Sequence, residues 1–250
     1  MRRVLPAVLF AAALIGMWQL AAELKLINPI FFPSPGRTFG ELYMQVTSGR
    51  LWQPLGATAL RMLYGWLLAC GLGIALGAAI GSSRAAREYL EPLLDFLRPL
   101  PASAIIPVAI LFLGLSPAMS TAVIAFGSLW PVLLAAVHGF KNTEPQLVEL
   151  CETLEMRRSQ VLAKVALPGA LPDILSGVRV SLAIALILAV VTEMQASLPG
   201  LGQNILLAQR SFRSPELYAG IVVLGIMGFL VNNGLLLAER RLLRWRSAAV

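Results

Sequence analysis

"LVELCETLEMRRSQVLAKVALPGALPDILSGVRV", residues 147–180, interrupts the text around it. Glu149, Glu152, Glu155, Arg157, Arg158 and Lys164 crowd into a chain that is 58% hydrophobic and only 13% charged. Soluble domains run at about 45–50% apolar and about 25% charged. A chain this apolar would expose far more hydrocarbon in water than its polar residues can cover. It is therefore an integral membrane protein, and the charged stretch is a loop outside the hydrocarbon, where ionised side chains are costly.

Inside that loop Leu147, Leu150, Cys151 and Leu154 recur at helical spacing and form one apolar stripe. Glu149, Glu152 and Glu155 take the opposite side, and Arg157 and Arg158 load the C-terminal end, which the helix dipole favours. So short a helix is marginal alone in water, so the stripe needs a surface to cover it. The pattern alone leaves two readings open. The helix lies on the bilayer or under its own bundle, or it docks into another protein.

Working outward, the apolar segments give six spans over approximately residues 4–22, 57–80, 95–114, 119–140, 174–192 and 217–237, with five as the alternative count. The run from Val4 to Ala22 exceeds the roughly 7–15 residues of a secretion-signal core and approaches the ~20 of a span, so it reads as an uncleaved first helix. The third segment is short; either it begins earlier, near Leu93, or Pro101 and Pro107 break it. The whole of residues 1–250 reads as one transmembrane domain, with a cytoplasmic loop over approximately 141–173.

Charge sets the orientation. With both termini inside, thirteen basic residues fall on the inner side: Arg2, Arg3, Arg84, Arg87, Arg98, Lys141, Arg157, Arg158, Lys164, Arg240, Arg241, Arg244 and Arg246. Only Lys25, Arg37, Arg50, Arg210 and Arg213 fall outside. That asymmetry is the positive-inside pattern. It accounts for the net charge of +7 without a nucleic-acid partner, which would call for basic residues on one solvated face.

Other chemistry is thin. Cys70 and Cys151 suggest no disulfide framework, and one histidine, His138, supports neither a metal cluster nor a catalytic triad. No G-x-x-x-x-G-K-[ST] loop is present, so the chain is not expected to hold ATP or to be an enzyme by itself. Gly73, Gly77 and Gly81 recur every fourth residue and suit close helix packing. Arg61, Ser128, Thr192 and Glu193 are candidates for a translocation path or gate, and Arg179 for an interfacial anchor.

The charged loop resembles the "EAA" loop of binding-protein-dependent ABC importer permeases. That motif reads Glu-Ala-Ala, three residues, Gly, nine residues, Ile-x-Leu-Pro. Here Glu149, Leu150 and Cys151 fill the first slots, Glu155 the glycine slot, and Val165, Ala166, Leu167 and Pro168 the ending, with the spacing intact. "FFPSPGRTF" (31–39), "TALRMLYGW" (58–66), "LRPLPASAIIPVAILFLGLS" (97–116), "SLPGLG" (197–202) and "ERRLLRW" (239–245) are similar to the nitrate/sulfonate/taurine-type subfamily.

The resemblance implies an all-α, type I (MetI-like) importer permease with a cytoplasmic coupling helix. Leu147, Glu149, Leu150, Cys151, Leu154, Glu155, Val165, Leu167 and Pro168 would dock a cytoplasmic ATPase subunit. ATP and Mg would sit on that subunit, present in two copies, with no cofactor on this chain. A second permease copy and a periplasmic or lipid-anchored binding protein would complete a bacterial inner-membrane assembly. The cargo implied is a small anion such as nitrate, a sulfonate or taurine, with a pyrimidine-type vitamin precursor as the alternative. A stand-alone secondary transporter or channel would need no such spaced motif, whereas a scaffold that moves nothing would recruit its partner through the same helix and is separated from a permease by solute uptake. Glu155 departs from the motif; if its turn requires positive φ, a non-glycine residue costs about 1–2 kcal/mol there.

Overall fold

A computed structural model describes residues 4–24 and 28–243. The topology-marking Arg2, Arg3, Lys25, Arg244 and Arg246 lie outside them. Every regular element among the described residues is helical: α1 (Val4–Glu23), α2 (Pro35–Thr47), α3 (Trp52–Gly81), α4 (Arg84–Leu97), α5 (Ile106–Leu113), α6 (Pro117–Lys141), α7 (Pro145–Thr153), α8 (Arg158–Val161), α9 (Leu167–Ala196), α10 (Leu201–Arg210) and α11 (Ser214–Leu242). A short 3-10 turn (Ala102–Ile105) precedes α5, and a π-helical turn (Leu162–Ala166) joins α8 to α9.

Among the described residues, four stretches are long and apolar enough to cross a membrane: Trp52–Gly81, Pro117–Lys141, Arg158–Ala196 and Ser214–Leu242. A fifth arises if α4 and the Ala102–Leu113 segment count as one span bent by 79°. The short third segment of the sequence thus falls on a bent helix pair, the geometry of a broken span or of a re-entrant loop. The break falls just before the 3-10 turn capped by Pro101, whereas Pro107 lies in the first turn of α5, where a missing N–H costs no helical bond.

The helix carrying the fifth apolar segment begins well before residue 174. Its π turn lies immediately before Pro168, and the Leu167 N–H reaches back to the Leu162 carbonyl. Proline cannot donate to the preceding turn and its ring crowds the carbonyl there. Widening the helix by one residue accommodates it without ending the helix.

The chain divides into two compact units, with the partition falling inside α3 and again inside α11. The first comprises residues 1–58 and 199–227. There Ser34 caps α2 by accepting from the Arg37 N–H, and Pro35 opens the helix. Trp18 donates its indole N–H to the Pro33 carbonyl at 3.0 Å and packs with Phe32 and Tyr218. The buried Thr58 hydroxyl accepts from the Leu201 N–H at 2.9 Å, tying α3 to the start of α10.

The second unit, residues 59–198 and 228–250, is built on α6 and α9. These run antiparallel: Gly139 meets Ala170, and Gly177 meets Pro131 and Ala135. Along α3, Gly65, Gly73, Gly77 and Gly81 face Ile124, Val132, Ala136 and Phe140 of α6. Each partner lies the same number of positions further along, so α3 and α6 run parallel. A Cβ at any of the four would lie under 3.0 Å from its neighbour. Absent side chains are what let the backbones approach, and in lipid such contact is the main force joining helices. Val132, Ala136, Phe140, Ala170, Ile174 and Val178 fill the resulting core, with Trp66, Cys70, Ile74 and Ala78 packed against it.

Candidate functional site

The charged loop is structured. α7 carries Leu147 at 41% exposed and Leu150 at 54%, and Leu154, just past its end, is 64% exposed. Cys151 is only 4% exposed, so the four-residue stripe of the sequence separates into three exposed leucines and one buried thiol. Glu149 is exposed, and its carbonyl accepts from the Thr153 hydroxyl at 3.0 Å. The turn is closed by Met156 N–H donating to the Cys151 carbonyl at 3.0 Å, with Glu155 at φ +52°. The glycine slot of the motif is thus a left-handed position, occupied here by glutamate. Arg157 then opens α8, its N–H donating to the Gln160 side chain at 3.0 Å. Further on, Val165 is half-buried within the π turn, and Leu167 and Pro168 are exposed.

Exposed leucines are unremarkable on a surface facing lipid. On this loop they stand beside Glu144, Glu149, Glu155, Arg157, Arg158 and Lys164, which hold the segment in water. An apolar stripe there is uncovered by its own chain.

The path candidates are brought together inside the second unit. Arg61 of α3 forms an ion pair with Glu193 of α9. Beside it the Ser120 and Thr192 hydroxyls share a hydrogen bond at 2.6 Å, joining α6 to α9. Further along, the Ser181 hydroxyl donates to the Ser128 carbonyl at 2.6 Å, and the Ser128 hydroxyl donates to the Ile124 carbonyl. Ser120, Ser128, Ser181, Thr192 and Glu193 are all fully buried. Sequence reasoning does not find Ser181, which pairs across 53 positions. It also misses Glu239, which pairs with the proposed anchor Arg179 and so ties α9 to α11.

Residues 71–245 match the family described as the binding-protein-dependent transport system inner membrane component. The chain belongs to this family. It is 35% identical to the putative aliphatic sulfonates transport permease protein SsuC of Bacillus subtilis, covering 96% of this chain and 87% of that protein. It is 33% identical to the taurine transport system permease protein TauC of Escherichia coli, covering 94% and 87%. Its fold is shared with a chain of the MetNI methionine ABC transporter in an inward-facing conformation. That match has a TM-score of 0.63 and 16% identity, over 80% of this chain and 97% of the other. The permease is therefore an all-α, multi-pass membrane protein of a transport family, not an enzyme.

Proposed function

We propose that this permease forms the translocation path of an ATP-driven importer for small aliphatic sulfonates, taurine or related anions. The observation that carries this reading is the uncovered leucine stripe, Leu147, Leu150 and Leu154, on a charged loop that holds the permease motif. Such a stripe suits a groove on a cytoplasmic ATPase subunit, with Glu149, Glu155, Val165, Leu167 and Pro168 at the edges of the contact and Cys151 fixing the helix from beneath. The anionic cargo follows the two relatives named above.

The full assembly holds two permease copies, two ATPase subunits carrying ATP and Mg, and an external binding protein that delivers the solute. Each permease copy crosses a bacterial plasma membrane six times, by α1, α3, the bent α4–α5 pair, α6, α9 and α11, with both ends in the cytoplasm. ATP-driven closure of the ATPase pair moves the α7 segments, and the helices attached to them shift between two states. A ligand biases such an equilibrium only through contacts that differ between the states. The Arg61–Glu193 pair and the neighbouring Ser120–Thr192 bond, with Ser128 further along, hold α3, α6 and α9 together in one state. They act as a gate latch rather than a solute contact, because they are buried and bonded to one another.

The test is to isolate the tagged permease in mild detergent from its own host, identify copurifying proteins by mass spectrometry, and measure alkanesulfonate uptake. A cassette ATPase in near-equal amount, together with uptake that fails when its gene is deleted, is expected. No ATPase by isolation or by crosslinking in intact membranes would return α7 to a bilayer-surface helix and overturn the reading.

A further inference from the structure

Three described residues other than glycine adopt positive φ: Glu155, Ser197 and Phe212. Phe212 uses the position to set its ring edge-on to Phe31, with 6.2 Å between centroids. Glu155 gains no such partner. It is exposed, joins no ion pair and makes no side-chain hydrogen bond among the described residues. Arg157, Arg158 and Lys164 follow closely in sequence and are exposed too, yet none of them pairs with it.

The turn that holds Glu155 is a helix C-cap. Met156 N–H donates to the Cys151 carbonyl, the long bond of a Schellman cap, and Glu155 takes the left-handed place where glycine is usual. Backbone groups make that bond, so the carboxylate contributes nothing to closing the turn. Glycine would sit there without the cost that a side chain meets at positive φ. The fold therefore gives no reason for an acid at this position, but its setting does. On one side of the turn Cys151 is buried and Met156 half-buried, whereas Leu154 and Glu155 are exposed together.

A bilayer is a poor cover for this surface. Helices that lie on membranes carry lysine and arginine beside their apolar face, and the inner leaflet is anionic. Residues 142–156 contain no lysine or arginine. The exposed acids beside Leu147, Leu150 and Leu154 are Glu144, Glu149 and Glu155. A protein groove is the better match. There apolar contact supplies affinity, while charge at the rim decides which partner is accepted and how fast it arrives. A carboxylate beside the stripe favours a groove edged by a cation and repels one edged by an acid.

We propose that Glu155 selects the ATPase subunit, its carboxylate meeting an arginine or lysine on the rim of the groove that receives the leucine stripe. The assignment rests on the docking reading above and names the charge that the partner must carry there. An ATPase subunit matched to a glycine turn gains nothing from this acid.

The test takes the permease–ATPase complex from its own host and follows ATPase release from the immobilised permease at low and high salt. Wild-type release should quicken with salt, which screens an exposed ion pair. Glu155→Gln keeps the side-chain length and should release the ATPase about fivefold faster at low salt, with a weaker salt dependence. Glu155→Lys should release it about tenfold faster or more, because like charges then meet. Glu155→Gly separates recognition from structure: it relieves the turn, yet should release the ATPase as fast as Glu155→Gln. Wild-type retention in Glu155→Gln or in Glu155→Gly would overturn the assignment. If Leu150→Arg frees the ATPase while Glu155→Gln holds it, the docking reading stands and the role of Glu155 falls. If the wild-type permease brings down no ATPase, both fall.

Discussion

Arg61 on α3 and Glu193 on α9 pair across 132 positions of sequence, with the glutamate side chain fully buried and the arginine side chain 10% exposed. Taking both charges out of water costs about as much as their attraction returns, so such a pair adds little stability by itself. Removing one partner is another matter, because the charge left behind has no water to turn to.

Glu193→Gln alone is therefore expected to destabilise the permease by about 3–5 kcal/mol. Arg61→Gln with Glu193→Gln should recover most of that loss. Unfolding of the detergent-solubilised protein, by heat or by rising SDS fraction, measures Glu193→Gln, Arg61→Gln and the double variant. Losses that simply add in the double variant would show that the two residues do not act as a pair.

Gly77 and Gly71 lie on the same helix and make opposite predictions. A methyl group at Gly77 meets Ala136 and the α6 backbone, whereas at Gly71 it meets nothing within 4 Å. Gly77→Ala should cost about 1–3 kcal/mol by overpacking and forcing α3 from α6. Gly71→Ala should be neutral or slightly stabilising, since alanine orders the helix more cheaply than glycine. Thermal unfolding in detergent compares them, and equal effects would contradict the parallel α3–α6 register.

Much of this was legible in the sequence. The four-residue glycine spacing marks the α3 face that meets α6, because a missing side chain leaves the same trace in lipid as in water. Pro101 allows a break in the third segment as one of two readings, and Glu155 falls in a glycine slot whose turn has positive φ. The polar pairs were not legible. In a membrane helix the lipid-facing and protein-facing sides are both apolar, so periodicity does not report which way Arg61, Glu193, Ser128 or Ser181 points. For α7, spacing grouped Cys151 with the leucines, yet it is the edge of the stripe that turns inward. Local periodicity assigns residues to a face and is silent about which part of that face the chain itself covers.

Glu155 sits at φ +52°. A side chain in the left-handed region costs about 1–2 kcal/mol, partly offset by the greater freedom glycine loses on folding. Glu155→Gly is expected to tighten the turn after α7, and Glu155→Val to loosen it further, since β-branching is poorly tolerated there. Trypsin cutting after the exposed Arg157 and Arg158 gives the readout: slower for the glycine variant, faster for the valine variant. Valine equal to wild type would mean that the turn is not held in this conformation.

Leu150 and Cys151 are neighbours in sequence with contrasting surroundings, 54% and 4% exposed. Leu150→Arg places a charge at a position more than half exposed, so insertion and thermal stability should stay within about 0.5 kcal/mol of wild type. The same charge in the apolar stripe should block docking, with copurified ATPase falling about tenfold or more, as when a central interface contact is lost. Cys151→Arg should instead unfold α7 locally, raising protease cutting in the loop as well as releasing the partner. The two variants thus separate a surface made for another protein from a residue that holds the helix in place. Full ATPase retention in a stable Leu150→Arg permease would remove the stripe from the interface and with it the coupling role of α7.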